Sequence, residues 1–206
     1  MNRIFYLLAV LILAASFPFT ACDDDSNDES KSVVVTIEHT GDTVIRHNIG
    51  GTPSNRYMML YLADDIGTAG TITAIRFKRG TEMTTESTCT DMTFIMAHTT
   101  VDTLSTIFAD NYTGSAQTVI DQATVTVPAG PADEYFTFTL SQPFNYNGTD
   151  NLIIELKRGV IATEAIEVVI HSAVPAYNGV SFGSSIDDPD GTELEYVLDT
   201  QLVFTD

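Results

Sequence analysis

The sequence contains no tryptophan, two cysteines, and only 9 lysine and arginine residues against 28 aspartate and glutamate residues. The formal net charge of −19 predicts a surface that repels nucleic acid and anionic lipid headgroups, so neither is expected as a ligand. The absence of tryptophan weakens the case for a sugar-stacking platform, although 8 tyrosines and 11 phenylalanines remain. The histidines are dispersed, with no two at zinc-site spacing: His39, His47, His98 and His171. Phosphate-loop, dinucleotide and haem motifs are also missing.

The N-terminal residues have the pattern of a secretory signal peptide. Arg3 supplies the only charge before an apolar run over residues 4–17, which is shorter than the about 20 residues that a membrane span needs. The run is followed by Phe-Thr-Ala-Cys, which ends at Cys22. This motif resembles a lipobox, and bulky Phe19 at the −3 position disfavours cleavage by ordinary signal peptidase. The resemblance implies a bacterial lipoprotein signal peptide over residues 1–21 and acylation of Cys22, with palmitate among the acyl chains.

Residues 22–32 are expected to form the lipidated cysteine and an acidic tether. Residues 23–32 read DDDSNDESKS and contain no apolar side chain, so they cannot pack into a core. The acids after Cys22 resemble an export signal for the cell surface, but the Lys or Gln that precedes such a signal is missing. A plain flexible tether is the alternative, and the sequence leaves open which face of the outer membrane carries the protein.

Removing the signal peptide leaves 185 residues, enough for a single domain over residues 33–206. Because Arg3 is the one charge removed, the mature formal charge becomes −20. Once Cys22 is acylated, Cys89 is the only thiol, so no intramolecular disulfide can form. We interpret Cys89 as a small half-buried side chain rather than a reactive thiol.

Most of the remaining sequence alternates between apolar and polar residues with a period of two, the pattern of half-buried strands. Turn formers such as Asn147-Gly148 separate the runs. One amphipathic helix is predicted over residues 101–109, and Gly179 to Gly183 is interpreted as a glycine-rich loop. The predicted fold is an all-β, two-sheet antiparallel β-sandwich of the jelly-roll type. The predicted strands cover residues 33–39, 43–47, 57–62, 71–79, 91–98, 117–127, 134–140, 151–157, 166–171 and 194–204.

Two of these strands have informative polar residues. Leu152, Ile154 and Leu156 are predicted to face the core, with Glu155 and Lys157 on the opposite face. Lys78-Arg79 and Lys157-Arg158 end two strands alike. We interpret both basic pairs as guards of a sheet edge or partners of nearby acids rather than as ligand-binding groups.

Two motifs occur within residues 50–157: Gly-Thr-Ile-Thr-Ala-Ile-Arg-Phe at 70–77, and Pro-Phe-Asn-Tyr-Asn-Gly-Thr at 143–149 followed by Asn151-Leu152. With these motifs, the segment resembles a β-sandwich module of extracellular, often adhesin-like proteins of Bacteroidetes-type bacteria. It implies a sandwich fold and an extracellular setting, and it implies no catalytic motif. In the second motif, Asn147-Gly148 should make the turn, with Phe144 and Tyr146 packed beneath it.

The candidate sites are few. Gly-Val-Ser-Phe-Gly around Ser181 matches the nucleophile-elbow pattern but lacks the following helix and a later histidine, so we reject it. Asp187, Asp190 and Glu193 lie on a turn and supply hard oxygen ligands for a weakly predicted Ca²⁺ site; a solvated acidic hairpin is the alternative. Nothing selects a catalytic pair among the carboxylates nearest in sequence, which are Asp64-Asp65, Asp133-Glu134 and Glu164/Glu167.

The sequence thus predicts a non-catalytic, acidic lipoprotein of the cell envelope or cell surface. It would be anchored to the membrane through Cys22 and would use its sandwich for adhesion, matrix contact or assembly with other surface proteins. The alternative is a jelly-roll lipoprotein that binds or processes glycans, an analogy that rests on fold alone. No cofactor is expected beyond the weak Ca²⁺ candidate.

Overall fold

The structure is a computed structural model, and it describes residues 31–38, 44–50, 54–160, 165–172, 180–183, 185–194 and 196–205. The predicted signal peptide, Cys22 and most of the tether lie outside these residues, as do His39 and Glu164. Among the described residues, no helix is long and apolar enough to cross a membrane.

Thirteen strands, one single-turn α-helix and one 3₁₀ turn are formed by the described residues. The α-helix α1 covers Ala63–Ile66, and the 3₁₀ turn covers Phe108–Asn111. The strands are β1 (Ser32–Ile37), β2 (Val44–Gly50), β3 (Asn55–Tyr61), β4 (Gly70–Lys78), β5 (Ser87–Thr99), β6 (Gln117–Val127), β7 (Tyr135–Tyr146), β8 (Asn151–Arg158), β9 (Ile166–Ser172), β10 (Val180–Gly183), β11 (Thr192–Leu194), β12 (Tyr196–Leu198) and β13 (Thr200–Thr205).

The strands form an antiparallel β-sandwich, which confirms the predicted fold class. One sheet has the order β1-β13-β4-β7, and the larger sheet has the order β11-β10-β3-β8-β5-β6. A third sheet, β12-β9-β2, adjoins the end of β4, where Arg79 pairs with Val168. All the pairings between named strands are antiparallel.

The inward-facing side chains of these strands form the main core. On β7, Phe136, Phe138 and Leu140 are buried, as their alternation with threonines predicts. Phe138 and Phe94 of β5 pack with ring centroids 5.0 Å apart, and Phe77 joins them from β4 at 6.0 and 6.3 Å. Aromatic pairs at these distances each contribute about 0.5–1.5 kcal/mol beyond their buried area. Cys89 is fully buried in this core, more deeply than the half-buried position predicted from the sequence.

The sequence predicts one buried and one solvated face for β8; the prediction is confirmed for the buried face and wrong for the other. Leu152, Ile154 and Leu156 belong to the main core, as expected. Glu155 is also buried, with 1% of its surface exposed, and Ile153 lies in a second apolar cluster. The period-two rule assumes one solvated face, but a loop covers the outer face of this sheet. The second cluster comprises Met58, Leu60, Ala97, Leu104, Phe108 and Ile153.

The helix predicted over residues 101–109 is wrong. Residues 101–107 are irregular, and only Phe108–Asn111 forms a 3₁₀ turn. The Asn111 amide accepts the Ser105 N–H at 2.7 Å and donates to the carbonyls of Ser105 and Ile107 at 3.0 and 3.3 Å. These side-chain bonds satisfy backbone groups that a helix would have paired internally. The sequence places Leu104, Ile107 and Phe108 on one apolar face. Leu104 and Phe108 are buried by an irregular covering loop over residues 100–112, but Ile107 is 43% exposed.

Two further differences concern the last third of the chain. The strand predicted over residues 194–204 is divided, because Tyr196–Leu198 pairs with β9 whereas Thr200–Thr205 pairs with β4 and β1. The chain therefore changes sheets at Asp199. Val180–Gly183, interpreted from the sequence as part of a glycine-rich loop, is strand β10 between β3 and β11.

Candidate functional site

Five titratable side chains meet where the third sheet adjoins the sandwich. Glu38 follows β1, Lys78 ends β4, Tyr135 begins β7, His171 lies on β9, and Asp199 separates β12 from β13. We call this set the Asp199 cluster. The backbone of Asp199 fixes its position, because its N–H donates to Val169 at 3.1 Å and its carbonyl accepts the Lys78 N–H at 3.2 Å.

Short polar contacts link the members of the Asp199 cluster. His171 Nε2 lies 3.0 Å from Oδ1 and 3.2 Å from Oδ2 of Asp199. Lys78 Nζ lies 3.6 Å from Asp199 Oδ2 and 3.3 Å from Glu38 Oε1. The Tyr135 hydroxyl donates to Glu38 Oε1 at 2.7 Å. The two carboxylates therefore share the lysine, while the histidine contacts Asp199 and the phenol contacts Glu38.

The environment shifts the pKa values of this cluster in different directions. Burial raises the pKa of Asp199, although His171 and Lys78 oppose the shift. The hydrogen bond from Tyr135 lowers the pKa of Glu38 despite its partial burial. Burial lowers the pKa of Lys78, but Glu38 and Asp199 outweigh it and raise the pKa overall. An Asp–His pair can transfer protons in principle, but the Asp199 side chain is 1% exposed and that of His171 14%. The cluster is arranged to hold five chain segments together.

A second group of polar side chains lies under the covering loop, and we call it the Glu155 cluster. Glu155, on the central strand β8, accepts hydrogen bonds from Arg56 Nε and from the Tyr112 hydroxyl, and Lys157 Nζ lies 3.8 Å away. Arg56 also stacks on Phe108, with its Cζ 3.9 Å from the ring centroid, and donates to the Asp188 carbonyl at 2.7 Å. Burial and then Glu155 raise the pKa of Tyr112.

The Glu155 cluster fastens the loop that carries the predicted calcium ligands. The Phe108 N–H donates to the Pro189 carbonyl at 3.1 Å, and the Gly191 N–H donates to the Thr106 carbonyl at 2.7 Å. Asp188 accepts the Ser185 N–H at 2.7 Å, so its carboxylate shapes the turn.

The predicted calcium ligands Asp187, Asp190 and Glu193 are all exposed. Among the described residues, the structure brings no three His, Cys, Asp or Glu side chains together in a way that could hold a metal ion. Calcium binding by this loop therefore remains an untested prediction.

The basic pairs at the strand ends divide into half-buried lysines and buried arginines. Lys78 and Lys157 contact acids, as one of the two interpretations expected. Arg79 and Arg158 are buried: Arg79 donates to the Pro128 carbonyl at 2.8 Å, and Arg158 donates to the carbonyls of Ile49 and Gly159. Edge guarding was wrong for both pairs, because β4 and β8 each have neighbours on both sides.

The other candidates from the sequence occupy separate places. Ser181 lies on β10, and no helix follows it among the described residues, which agrees with rejecting the elbow. Burial raises the pKa of the Cys89 thiol to about 11, as expected for an unreactive cysteine. His98 Nε2 accepts the Asn147 N–H at 3.1 Å and holds the turn before β8. Of the carboxylates, Asp64 and Asp65 lie on α1, Asp133 and Glu134 precede β7, and Glu167 lies on β9.

The described residues form a shallow opening, and none of the described aromatic rings is exposed. All thirteen aromatic residues whose side chains are described are buried or half-buried. An opening of about 220 Å³ lies between the edges of β6 and β7, lined by Ile120, Gln122, Val125, Thr137, Phe138 and Thr139. Ligand pockets usually enclose about 300–1,000 Å³, so this opening is small for a sugar or a drug-sized molecule.

No protein-family model matches this chain, and no curated protein sequence matches it either. Its function is therefore inferred from its own residues. The residues most deeply involved in the two clusters, Glu155 and Asp199, were missed as site residues in the sequence. Their one signal in the sequence was an acid that directly follows two apolar residues, in Ile-Ile-Glu and Val-Leu-Asp.

Proposed function

We propose that the protein is a lipoprotein of the bacterial cell envelope whose β-sandwich is a non-catalytic module for adhesion, matrix contact or assembly. Acylated Cys22 would anchor it to the outer membrane, and the acidic tether would separate the sandwich from the lipid. The support for anchoring comes from the lipobox-like Phe-Thr-Ala-Cys and the polar run after it.

One structural observation carries the non-catalytic part of the proposal. Within each cluster, the buried carboxylate contacts other members of that cluster: Glu155 is bound by Arg56 and Tyr112, and Asp199 is bound by His171. These contacts join segments that are distant in sequence, such as β3, β8 and the covering loop. The groups most suited to acid–base chemistry are thus used to fasten the fold.

We also propose jelly-roll connectivity for the sandwich. Eight strands form its two facing sheets when β10 and β11 are set aside, and strands that follow one another in the chain lie in different sheets, except for β5 and β6. Taken in chain order, they are arranged 1-8-3-6 in one sheet and 2-7-4-5 in the other. This interleaving of two Greek keys is the jelly-roll arrangement.

Metabolic labelling tests the anchor. Cells that produce the wild type or Cys22→Ala are grown with radioactive palmitate, and the protein is isolated from membrane and medium. We expect label on the membrane-bound wild type and no label on Cys22→Ala. An unlabelled wild type would remove the lipoprotein from the proposal.

A glycan array combined with a hydrolase panel separates the proposal from the glycan-directed alternative. We expect no glycan turnover by the full-length protein, because the buried acids Glu155 and Asp199 contact Arg56 and His171 and the described aromatic rings are buried or half-buried. Specific binding of one glycan class with hydrolysis of the same class would overturn the non-catalytic assignment. The matched control is Glu155→Gln, which removes the carboxylate of the Glu155 cluster.

A further inference from the structure

Strand β1 forms one edge of the four-stranded sheet. It pairs with β13 on one side, and no described strand pairs with its other side. Val33 and Val34 are 44% and 42% exposed, and they are two of only four large apolar side chains exposed among the described residues. The strand reads Ser-Val-Val-Val-Thr-Ile and has neither a charge nor a proline. Such an edge can add a further strand through its free N–H and carbonyl groups.

The other described edge strands carry features that discourage pairing. β7 contains Pro143 and a register irregularity opposite Ile72/Ala74. β6 contains Asp121 and pairs with β5 through another irregularity. β11 and β12 have three residues each, and β2 pairs irregularly near Gly50. Short strands, charges, prolines and bulges are the usual protection of sheet edges. β1 pairs with β13 in unbroken register and has none of them.

We propose that β1 is a self-association edge, which pairs antiparallel with β1 of a second copy of this chain. This inference rests on the proposed assembly function and names its partner. A twofold axis perpendicular to the sheet relates the two strands, so a residue at the centre faces itself. With Val34 at the centre, Val33 faces the second copy's Val35, and the two four-stranded sheets become one sheet of eight strands.

The charges that flank β1 favour antiparallel pairing with β1 of a second copy. Lys31 precedes the strand and is exposed, and Glu38 follows it with 45% of its side chain exposed. Antiparallel pairing brings Lys31 of each copy near Glu38 of the other, whereas parallel pairing would place like charges together. The strongly acidic surface opposes association at long range, but salt at 0.15 M screens it beyond about 8 Å. Anchoring to one membrane would further raise the local concentration of the two copies.

A disulfide trap tests the proposal on the full-length lipoprotein in its own membrane. Val34→Cys places two thiols across the proposed axis, at a spacing that facing strand residues share with disulfides, about 4.5–5.5 Å between Cα atoms. Ile107→Cys is the matched control, because Ile107 is 43% exposed and lies far from β1 in sequence. Both variants are treated with copper phenanthroline, and the products are separated without reductant. Circular dichroism under reducing conditions verifies that each variant is folded.

We expect Val34→Cys to form a dimer of twice the chain mass at least about tenfold faster than Ile107→Cys, and the dimer to disappear when Val33→Lys is added. Equal rates, or a crosslinked product of another mass, would overturn self-pairing. The same trap on Val34→Cys combined with Cys22→Ala, at raised protein concentration, shows whether the edge pairs without the anchor. In Val34→Cys with native Cys22, a dimer without palmitate label removes only the anchor, whereas palmitate label without a dimer removes only self-pairing.

Discussion

Single residues decide how the outer layer of the larger sheet is held. Glu155 is fully covered, and its partners Arg56 and Tyr112 come from β3 and the covering loop. Removing one partner of a buried ion pair leaves the other charge buried without compensation, which is far more costly than losing an exposed pair. The cost of changing this residue should therefore be that of a core residue.

We predict that Glu155→Ala lowers the free energy of unfolding by about 3–5 kcal/mol, because Arg56, whose side chain is only 12% exposed, would lie beside Phe108 without its carboxylate. Glu193→Ala is the matched control and should change stability by less than about 0.5 kcal/mol, since Glu193 is an exposed strand residue. The measurement is urea unfolding followed by circular dichroism. Equal effects of the two substitutions would show that Glu155 is not a structural charge.

At the scale of elements, the Asn147-Gly148 turn combines a sequence motif with a tight approach of two chain segments. Asn147 Oδ1 accepts the N–H groups of Thr149 and Asp150, both at 3.0 Å. Gly148 has φ +74°, and a Cβ added there would lie 2.7 Å from the Ala69 Cβ. Phe144 and Tyr146 are buried just before the turn, as predicted from the motif.

Gly148→Ala should therefore destabilise the fold by more than about 2 kcal/mol, because left-handed strain of about 1–2 kcal/mol is added to the clash with Ala69. Gly67→Ala is the control: its φ is +66°, but the nearest atom to an added Cβ is 3.9 Å away. It should cost only the strain, about 1–2 kcal/mol. Thermal melts of the two variants decide the matter, and a cost for Gly67→Ala equal to or above that for Gly148→Ala would contradict the predicted clash.

Calcium binding by the loop that carries Asp187, Asp190 and Glu193 is tested by thermal melts. The melting temperatures of the wild type and Asp190→Ala are compared in 1 mM CaCl₂ and in EDTA, at 0.15 M NaCl. A filled site at a hundredfold excess over Kd would raise Tm by roughly 5–10 °C in the wild type alone. We expect equal small shifts in the two proteins, because Asp187, Asp190 and Glu193 are exposed and the loop is already held by backbone bonds to Thr106 and Phe108. A wild-type shift that Asp190→Ala abolishes would establish the calcium site.

Individual elements also show which structural features a local sequence pattern can predict. Strand β6 is observed over residues 117–127, as predicted, because its alternation and flanking turns are local signals. The apolar spacing of Leu104, Ile107 and Phe108 predicts burial correctly for the first and third of them but not for Ile107. The predicted helix does not form, since Asn111 competes for the backbone. The change of sheet at Asp199 depends on β9 and β4, two distant strands, and no local pattern encodes it.

At the scale of the whole molecule, several ionisable side chains lie in the interior, among them Glu155, Asp199 and Arg158. The sequence predicts the two-sheet sandwich because alternation fixes which side chains face inward. It does not predict the two polar clusters, because each joins residues more than twenty positions apart, such as His171 with Asp199 and Arg56 with Glu155. The third sheet is likewise a product of long-range pairing.

Alkaline titration probes this burial over the entire fold. Burial raises the pKa of Tyr57, Tyr61, Tyr112 and Tyr135, and it raises that of Tyr146 to about 12. Each pKa is higher in the folded state than in the unfolded state, so its contribution to stability is full below about pH 10 and is lost as pH rises through the folded value. We predict a late, cooperative rise of tyrosinate absorbance at 295 nm, coincident with unfolding. In 6 M guanidinium the rise should centre near pH 10, and identical native and denatured curves would contradict the burial.

The central claim is that an anchored sandwich makes contacts at the cell envelope. Attachment of intact cells to a matrix-coated surface tests it, using a strain that lacks the protein and the same strain supplied with the wild type or Cys22→Ala. We predict that the wild type restores attachment, and that Cys22→Ala releases the protein into the medium or periplasm and leaves attachment at the level of the deficient strain. Equal attachment of all three strains would contradict the claim.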